Sequence, residues 1–250
     1  MKILLSPTKK MKEDLDFLSP QALPANLLKT RQILKVLLSM PPRELQRLWG
    51  CSDKITEQNL DRLARMDLTN HLTPAIFAYE GLAFQHMAPG VFSDSALAYA
   101  QENLRILSGF YGVLKPLDGI CSYRLEMQAP LPVGAAGNLY EFWGRDLYDQ
   151  IRDESGIFLN LASREYYKCI EPYLTPEDRF ITCTFGEMVG GKLRQKATFA
   201  KMARGEMVRF LAETQADRPE AMQDFKELDF HFRKDLSTDR EYIFERIPQD

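Results

Sequence analysis

Between Leu107 and Met127 the chain sets Tyr111, Lys115, Asp118, Arg124 and Glu126 inside an otherwise apolar stretch. Desolvating a lone charge costs several kcal/mol, roughly, so a charge among core residues must be paired or hydrogen-bonded. Each of these groups is therefore part of a structural ion pair or part of a site. As a site, they suit acid–base work on an anionic substrate. Glu126 is then the general acid or base, Arg124 the anion clamp and Tyr111 the orienting phenol. Arg124 and Glu126 are two apart and share a face on a strand, which is equally how a structural pair would look. Gly109 and Gly112 flank Tyr111 where a helix is expected to end, and they let backbone or ligand come close.

Three more positions could join them. Ile157 to Leu161 reads as a strand buried on both faces, and Asn160 within it needs hydrogen-bond partners of the kind found where a strand ends at a cleft. Ser163 follows, as a cleft residue or as the cap of the next helix; no Ser-His-Asp arrangement supports it as a nucleophile. Lys9 lies just past the short strand Lys2 to Leu5, at the end of a strand where sheet proteins hold ligands. Lys10 reads as a solvated charge.

A basic segment lies further on. Residues 192 to 209 hold Lys192, Arg194, Lys196, Lys201, Arg204 and Arg209 against Glu206 alone. Gly186 to Lys192 matches the G-x-x-x-x-G-K phosphate loop directly after a strand, Phe180 to Phe185. Leu193, however, stands where a magnesium-binding hydroxyl is required. Leu193, Gln195, Ala197 and Phe199 then alternate with Lys192, Arg194, Lys196 and Thr198, which is strand periodicity. Gly190-Gly191 is thus a hairpin turn, and Lys192, Arg194 and Lys196 share one face that points into solvent or meets an anion. In the helix expected from about Ala200, Ala203, Met207, Phe210 and Leu211 form the buried side. Arg204 borders that side, beside a Gly205 that admits close approach, and is the preferred anion contact. Arg209 reads as a surface charge.

Near the start, Leu45, Leu48 and Trp49 lead into Gly50-Cys51-Ser52-Asp53-Lys54 and a second helical run to about Met66. Two short helices on a glycine-containing turn outline a helix-hairpin-helix over residues 43–66. Such a module holds phosphate on the second helix's backbone N–H groups, and Lys54 could add a contact. Ser52 replaces the module's second glycine, and an ordinary helical hairpin capped by Ser52 or Asp53 fits the same pattern.

The elements around these residues alternate between helix and strand. Asn26 to Leu38 is an amphipathic helix stopped by Pro41-Pro42. Thr73-Pro74 starts a buried helix running to Tyr79. Ser93 or Asp94 caps another whose Leu97, Ala100, Leu104 and Leu107 share a face and which delivers the chain to the central stretch. Leu139 to Gly144 is aromatic core, and Leu228 to Ile247 is a hairpin closing a sheet edge. With 250 residues, 45% of them hydrophobic, and no linker or repeat, the expectation is one α/β domain over residues 1–250, a central mixed sheet wrapped by helices.

The net charge of −3 excludes no partner by itself; its uneven distribution suits an anionic ligand. The four cysteines and three histidines are scattered, without zinc or haem spacing, so no metal or cofactor is expected and direct iron binding is disfavoured. Met1 to Leu5 is too short for a signal segment and no apolar run approaches membrane length, so the expectation is the cytoplasm and no membrane.

Several blocks together resemble the YaaA family of bacterial peroxide-stress proteins. They are Ser6-Pro7-Thr8-Lys9, the run from Leu107 to Asp118, Tyr123-Arg124-Leu125-Glu126-Met127, Leu139 to Gly144, Asn160-Leu161-Ala162-Ser163 and Ala203-Arg204-Gly205. Thr8 stands where that family commonly has alanine, and Met202 where a basic residue often precedes Ala203. The resemblance implies a cytosolic protein that keeps free iron low and limits oxidative DNA damage, with a positively lined cleft and a helix-hairpin-helix binding DNA. It implies phosphate contacts for Gly50, Ser52 and Lys54. It supplies no reaction. Two readings follow: DNA, duplex or distorted and with weak sequence preference, across the basic strand and hairpin; or an enzyme acting on a nucleotide-like or phosphorylated substrate, or a damaged base, in the same cleft.

Overall fold

The computed structural model describes residues 1–13 and 16–248. Its strands are β1 (Lys2–Leu5), β2 (Thr73–Pro74), β3 (Leu104–Ser108), β4 (Gly112–Leu114), β5 (Gly119–Ile120), β6 (Ile157–Asn160), β7 (Arg179–Val189), β8 (Lys192–Arg194), β9 (Phe230–Phe232) and β10 (Glu241–Arg246). Its α-helices are α1 (Leu27–Ser39), α2 (Pro42–Trp49), α3 (Asp53–Ala64), α4 (Ala75–Ala78), α5 (Leu82–Met87), α6 (Asp94–Asn103), α7 (Leu139–Trp143), α8 (Asp146–Ile151), α9 (Arg164–Tyr167) and α10 (Ala197–Glu213).

Eight strands form one mixed sheet in the order β4-β3-β1-β6-β7-β10-β9, with β8 paired to β7. The five middle strands run parallel, and β4, β8 and β9 join antiparallel. Every residue of β1 and β3 is buried, as expected of parallel strands covered by helices on both faces. From β1 the chain winds outward to β3; from β6 it winds the other way to β7 and β10. The winding reverses between β1 and β6. In sheets of this kind the crevice at that reversal, beyond the carboxyl ends of the strands, is where ligands sit.

The expected mixed α/β fold is the one observed, with three local corrections. The helix leading into the central stretch ends at Asn103, and Leu104 and Leu107 lie in β3, where pairing with β1 outweighs helical spacing. The Leu107–Asp118 stretch is therefore a β3–β4 hairpin. Thr73-Pro74 pairs with β5, and the buried helix that starts after it, α4 with Pro74 at its N-cap, is a single turn. The strand expected through Phe199 stops at Arg194, and α10 begins at Ala197. The β7–β8 hairpin itself is present, with Gly190 and Gly191 both at positive φ, so the segment is not a phosphate loop.

Two glycines bring the site's elements together. A Cβ on Gly109, in the β3–β4 turn, would fall 2.8 Å from the backbone carbon of Glu126, so only glycine lets the Leu125–Met127 backbone lie there. A Cβ on Gly205, within α10, would overlap the carbonyl oxygen of Ala83, so α10 lies directly on α5.

Candidate functional site

A cleft of about 390 Å³ opens at the winding reversal. Its floor comes from the segments leaving β1 and β6. Ser6 Oγ accepts the Ser163 N–H at 2.8 Å and donates to Ser163 Oγ at 3.2 Å, tying the two strand ends together. Glu126, whose backbone packs on Gly109, lines one part of the wall; α10 and α5, in contact at Gly205, line another.

The cleft gathers Lys9, Glu126, Ser163, Lys201 and Arg204 out of the residues expected from sequence. Lys9 Nζ lies 3.0 Å from Glu126 Oε1. Arg124 Nε lies 3.2 Å from the same oxygen, so Arg124 backs the cleft wall without lining it. Neither Arg124 Nε nor Glu126 Oε1 is aligned for a hydrogen bond, so this contact is an ion pair of proximity. Arg204 is different. Its Nε is buried with no hydrogen-bond partner, burial lowers its pKa from the ordinary value, and the groups that favour its charge are Cys183 and Tyr167 rather than a carboxylate.

Other expected residues lie elsewhere. Tyr111 is buried at 1% exposure and its hydroxyl accepts the Cys121 N–H at 3.0 Å, so it cannot orient a ligand in the cleft. Asn160 is held locally at both ends of its amide: Oδ1 accepts the Ala162 N–H at 3.0 Å and Nδ2 donates to Thr182 Oγ1 at 3.2 Å. It shapes the turn that presents Ser163. Ser163 precedes α9 but its side chain makes no cap bond; it faces Ser6 instead. Lys192 and Arg194 are exposed on β8, while Lys196 leaves that row to pair with Glu187 at 2.6 Å.

Gly50 takes the left-handed conformation that ends α2, and Ser52 precedes α3 without capping it. Gly50, Ser52 and Lys54 do not line the cleft. The α2–α3 turn reaches it indirectly, because Arg124 Nη2 donates to the Trp49 carbonyl at 3.3 Å.

Sequence reasoning missed two carboxylates in the cleft, Glu80 and Glu165. Lys10 is exposed, as expected, and its ammonium pairs with Glu80 at 2.9 Å. Burial, with Glu126 adding to it, pushes the Glu165 carboxyl up from its ordinary value against the Gln128 N–H and the charge of Lys9. Four cations thus meet three carboxylates, and the cleft is mixed in charge rather than uniformly positive. Glu165 was detectable in sequence as an acid two residues beyond Ser163. Glu80 carried no such signal, since it arrives from a distant loop.

An open α/β sheet with a charged cleft at its winding reversal defines the class of this protein. Within that class the chain belongs to the family described as peroxide stress protein YaaA, whose model matches residues 1–236. It is 56% identical over 246 residues to a UPF0246 protein of Agathobacter rectalis, covering 98% of this chain and 99% of the relative. A UPF0246 protein of Limosilactobacillus reuteri is 49% identical over 248 residues, covering 99% and 100%. One of Lachnoclostridium phytofermentans is 46% identical over 244 residues, covering 98% and 96%. No helix among the described residues is long and apolar enough to cross a membrane.

Proposed function

We propose that the protein protects the cell against peroxide by binding DNA along the carboxyl edge of its sheet, limiting oxidative damage while free iron is kept low. The observation that carries this reading is Arg204, a half-buried guanidinium that lines the cleft, its Nε out of solvent and without an anionic partner among the described residues. Lys201, three residues earlier on α10, lines the same cleft, and the exposed Lys192 and Arg194 precede that helix on β8. Together they offer a track for phosphates, with Gly50, Ser52 and Lys54 as a second contact on the α2–α3 turn. The test is fluorescence anisotropy of a labelled duplex over a salt series. Affinity falls steeply with salt, and the double variant Lys192→Gln/Arg194→Gln reduces the logarithmic slope by about two. A salt-independent affinity counts against the reading.

The cleft volume favours a second reading. Small-ligand pockets span about 300–1,000 Å³, and a 390 Å³ cleft has the volume for a ligand the size of one nucleotide unit. A nucleotide-like or phosphorylated substrate, or a damaged base turned out of the duplex, would meet Glu126 as general acid or base. Under this reading Glu126→Gln abolishes protection against peroxide in protein that is still folded, by circular dichroism and melting temperature, and that keeps its DNA affinity. Lost protection accompanied by a large drop in melting temperature would point to the ion pair with Arg124 instead.

A further inference from the structure

The charges of the cleft divide into those already neutralised within the protein and those left over. Lys9 is held by Glu126 at 3.0 Å and Lys10 by Glu80 at 2.9 Å. What remains is opposite in sign and separate in origin. Lys201 and Arg204 lie on one face of α10, and Arg204 makes neither a hydrogen bond nor an ion pair among the described residues. Glu165, on α9, also makes no ion pair among them. The backbone N–H groups of Gln128, at 3.4 Å from Oε1, and of Met127 face it, with the charge of Lys9 nearby, and a carboxylate with about four acceptor positions keeps capacity beyond these.

A cavity lined by a cation and by a carboxylate, neither of them in an ion pair among the described residues, is matched by a ligand carrying an anionic group and, apart from it, hydrogen-bond donors. A carboxylate accepts only; it is best satisfied by two N–H groups side by side. Among nucleobases guanine offers that pair, N1–H beside the N2 amine, whereas uracil flanks its single N–H with two carbonyl oxygens that a carboxylate repels.

We propose that the cleft takes a single guanine nucleotide unit, its phosphate on Lys201 and Arg204 and the donor edge of its base on Glu165. The inference rests on the nucleotide-like reading of the cleft. In this arrangement Glu126 is not the recognising carboxylate, since Lys9 and Arg124 already occupy its Oε1. The burial that disfavours an ionised Glu165 is offset further once ligand N–H donors face it. The Ser163 hydroxyl, which accepts from Ser6, keeps its own proton to offer the ligand.

The test is isothermal titration of the full chain with GMP, IMP and guanosine. GMP and IMP differ only by the N2 amine. GMP should bind about tenfold more tightly than IMP, the discrimination that one lost buried hydrogen bond gives, and guanosine more weakly than either. Glu165→Gln, which keeps an oxygen for the Gln128 N–H, should bring GMP and IMP together. Lys201→Gln, an exposed substitution, should weaken both nucleotides alike and leave their ratio intact. Equal binding of GMP and IMP by the unaltered protein, or a preference surviving in Glu165→Gln, overturns the inference. Salt-dependent duplex binding by the same preparation would then leave the DNA reading standing, and absence of both would remove both.

Discussion

Arg124 holds Glu126 with one end of its guanidinium and the Trp49 carbonyl with the other. Nε stands 3.2 Å from Glu126 Oε1 and Nη2 donates at 3.3 Å to the last residue of α2. Both charged side chains are largely buried, at 12% and 16% exposure, so the pair is shielded from solvent. One residue thereby connects the α2–α3 turn to the wall of the cleft.

Removing Arg124 leaves Glu126 with Lys9 alone, and neutralising Glu126 leaves the largely buried Arg124 without a carboxylate among the described residues. Arg124→Met and Glu126→Gln should each destabilise by about 2–4 kcal/mol. The double variant should lose less than the sum, with a coupling of about 1–3 kcal/mol in urea denaturation. Strict additivity would show that the two side chains do not sense each other.

Gly205→Ala tests the α5–α10 contact. In an exposed helix interior this change stabilises by about 1 kcal/mol. Here the new methyl meets the Ala83 carbonyl, a rigid backbone atom, and overlap decides the sign. The expected loss is about 2 kcal/mol or more, with weaker duplex binding as α10 moves off α5. A gain in melting temperature would contradict this packing.

Tyr123 is a buried node: its hydroxyl lies 2.8 Å from that of Tyr79 and 2.7 Å from Ser108 Oγ. Ser108 Oγ in turn accepts the N–H groups of Phe110 and Tyr111 in the β3–β4 turn. Tyr123→Phe takes a partner from the buried hydroxyls of Tyr79 and Ser108, the latter keeping its two N–H bonds, and should cost about 1–3 kcal/mol in denaturation midpoint analysis. Stability unchanged within about 0.5 kcal/mol would mean the hydroxyls find other partners.

Asp118 gives a pH signature of known sign. Burial pushes its carboxyl up to about 6, against the N–H and charge of Lys115 and the charge of Arg105. The folded value exceeds the unfolded one, so the unfolded chain binds fewer protons from this group. Its contribution is complete below about pH 4 and is lost as pH rises through about 6. Asp118→Asn should flatten the stability profile between about pH 4 and 7, by on the order of 2 kcal/mol. An unaltered profile would place the titration elsewhere.

The legible parts of the fold were those with strong local pattern. β1, the β7–β8 hairpin with its glycine pair, the closing hairpin of β9 and β10, and α1 before its double proline all follow from periodicity and turn chemistry. Leu104 to Leu107 defeated that reading because apolar residues at helical spacing are also apolar residues in a buried parallel strand. Both periods leave the same trace when nothing faces water. Tyr111 and Asn160 stood out as polar groups in apolar surroundings, and both proved to be satisfied inside the core.

The sequence by itself determined the family, the α/β class and the presence of charges that burial would force to find partners. Only the tertiary structure decided which partners those were. Lys9 meets Glu126 across more than a hundred residues, Lys10 meets Glu80, and Arg204 and Glu165 are left facing an open cleft. The reason is physical: the need to pair a buried charge is local to the residue. The partner depends on which backbones come within a few ångströms, and that was set at a distance by the winding of the sheet and by two glycines that let chains touch.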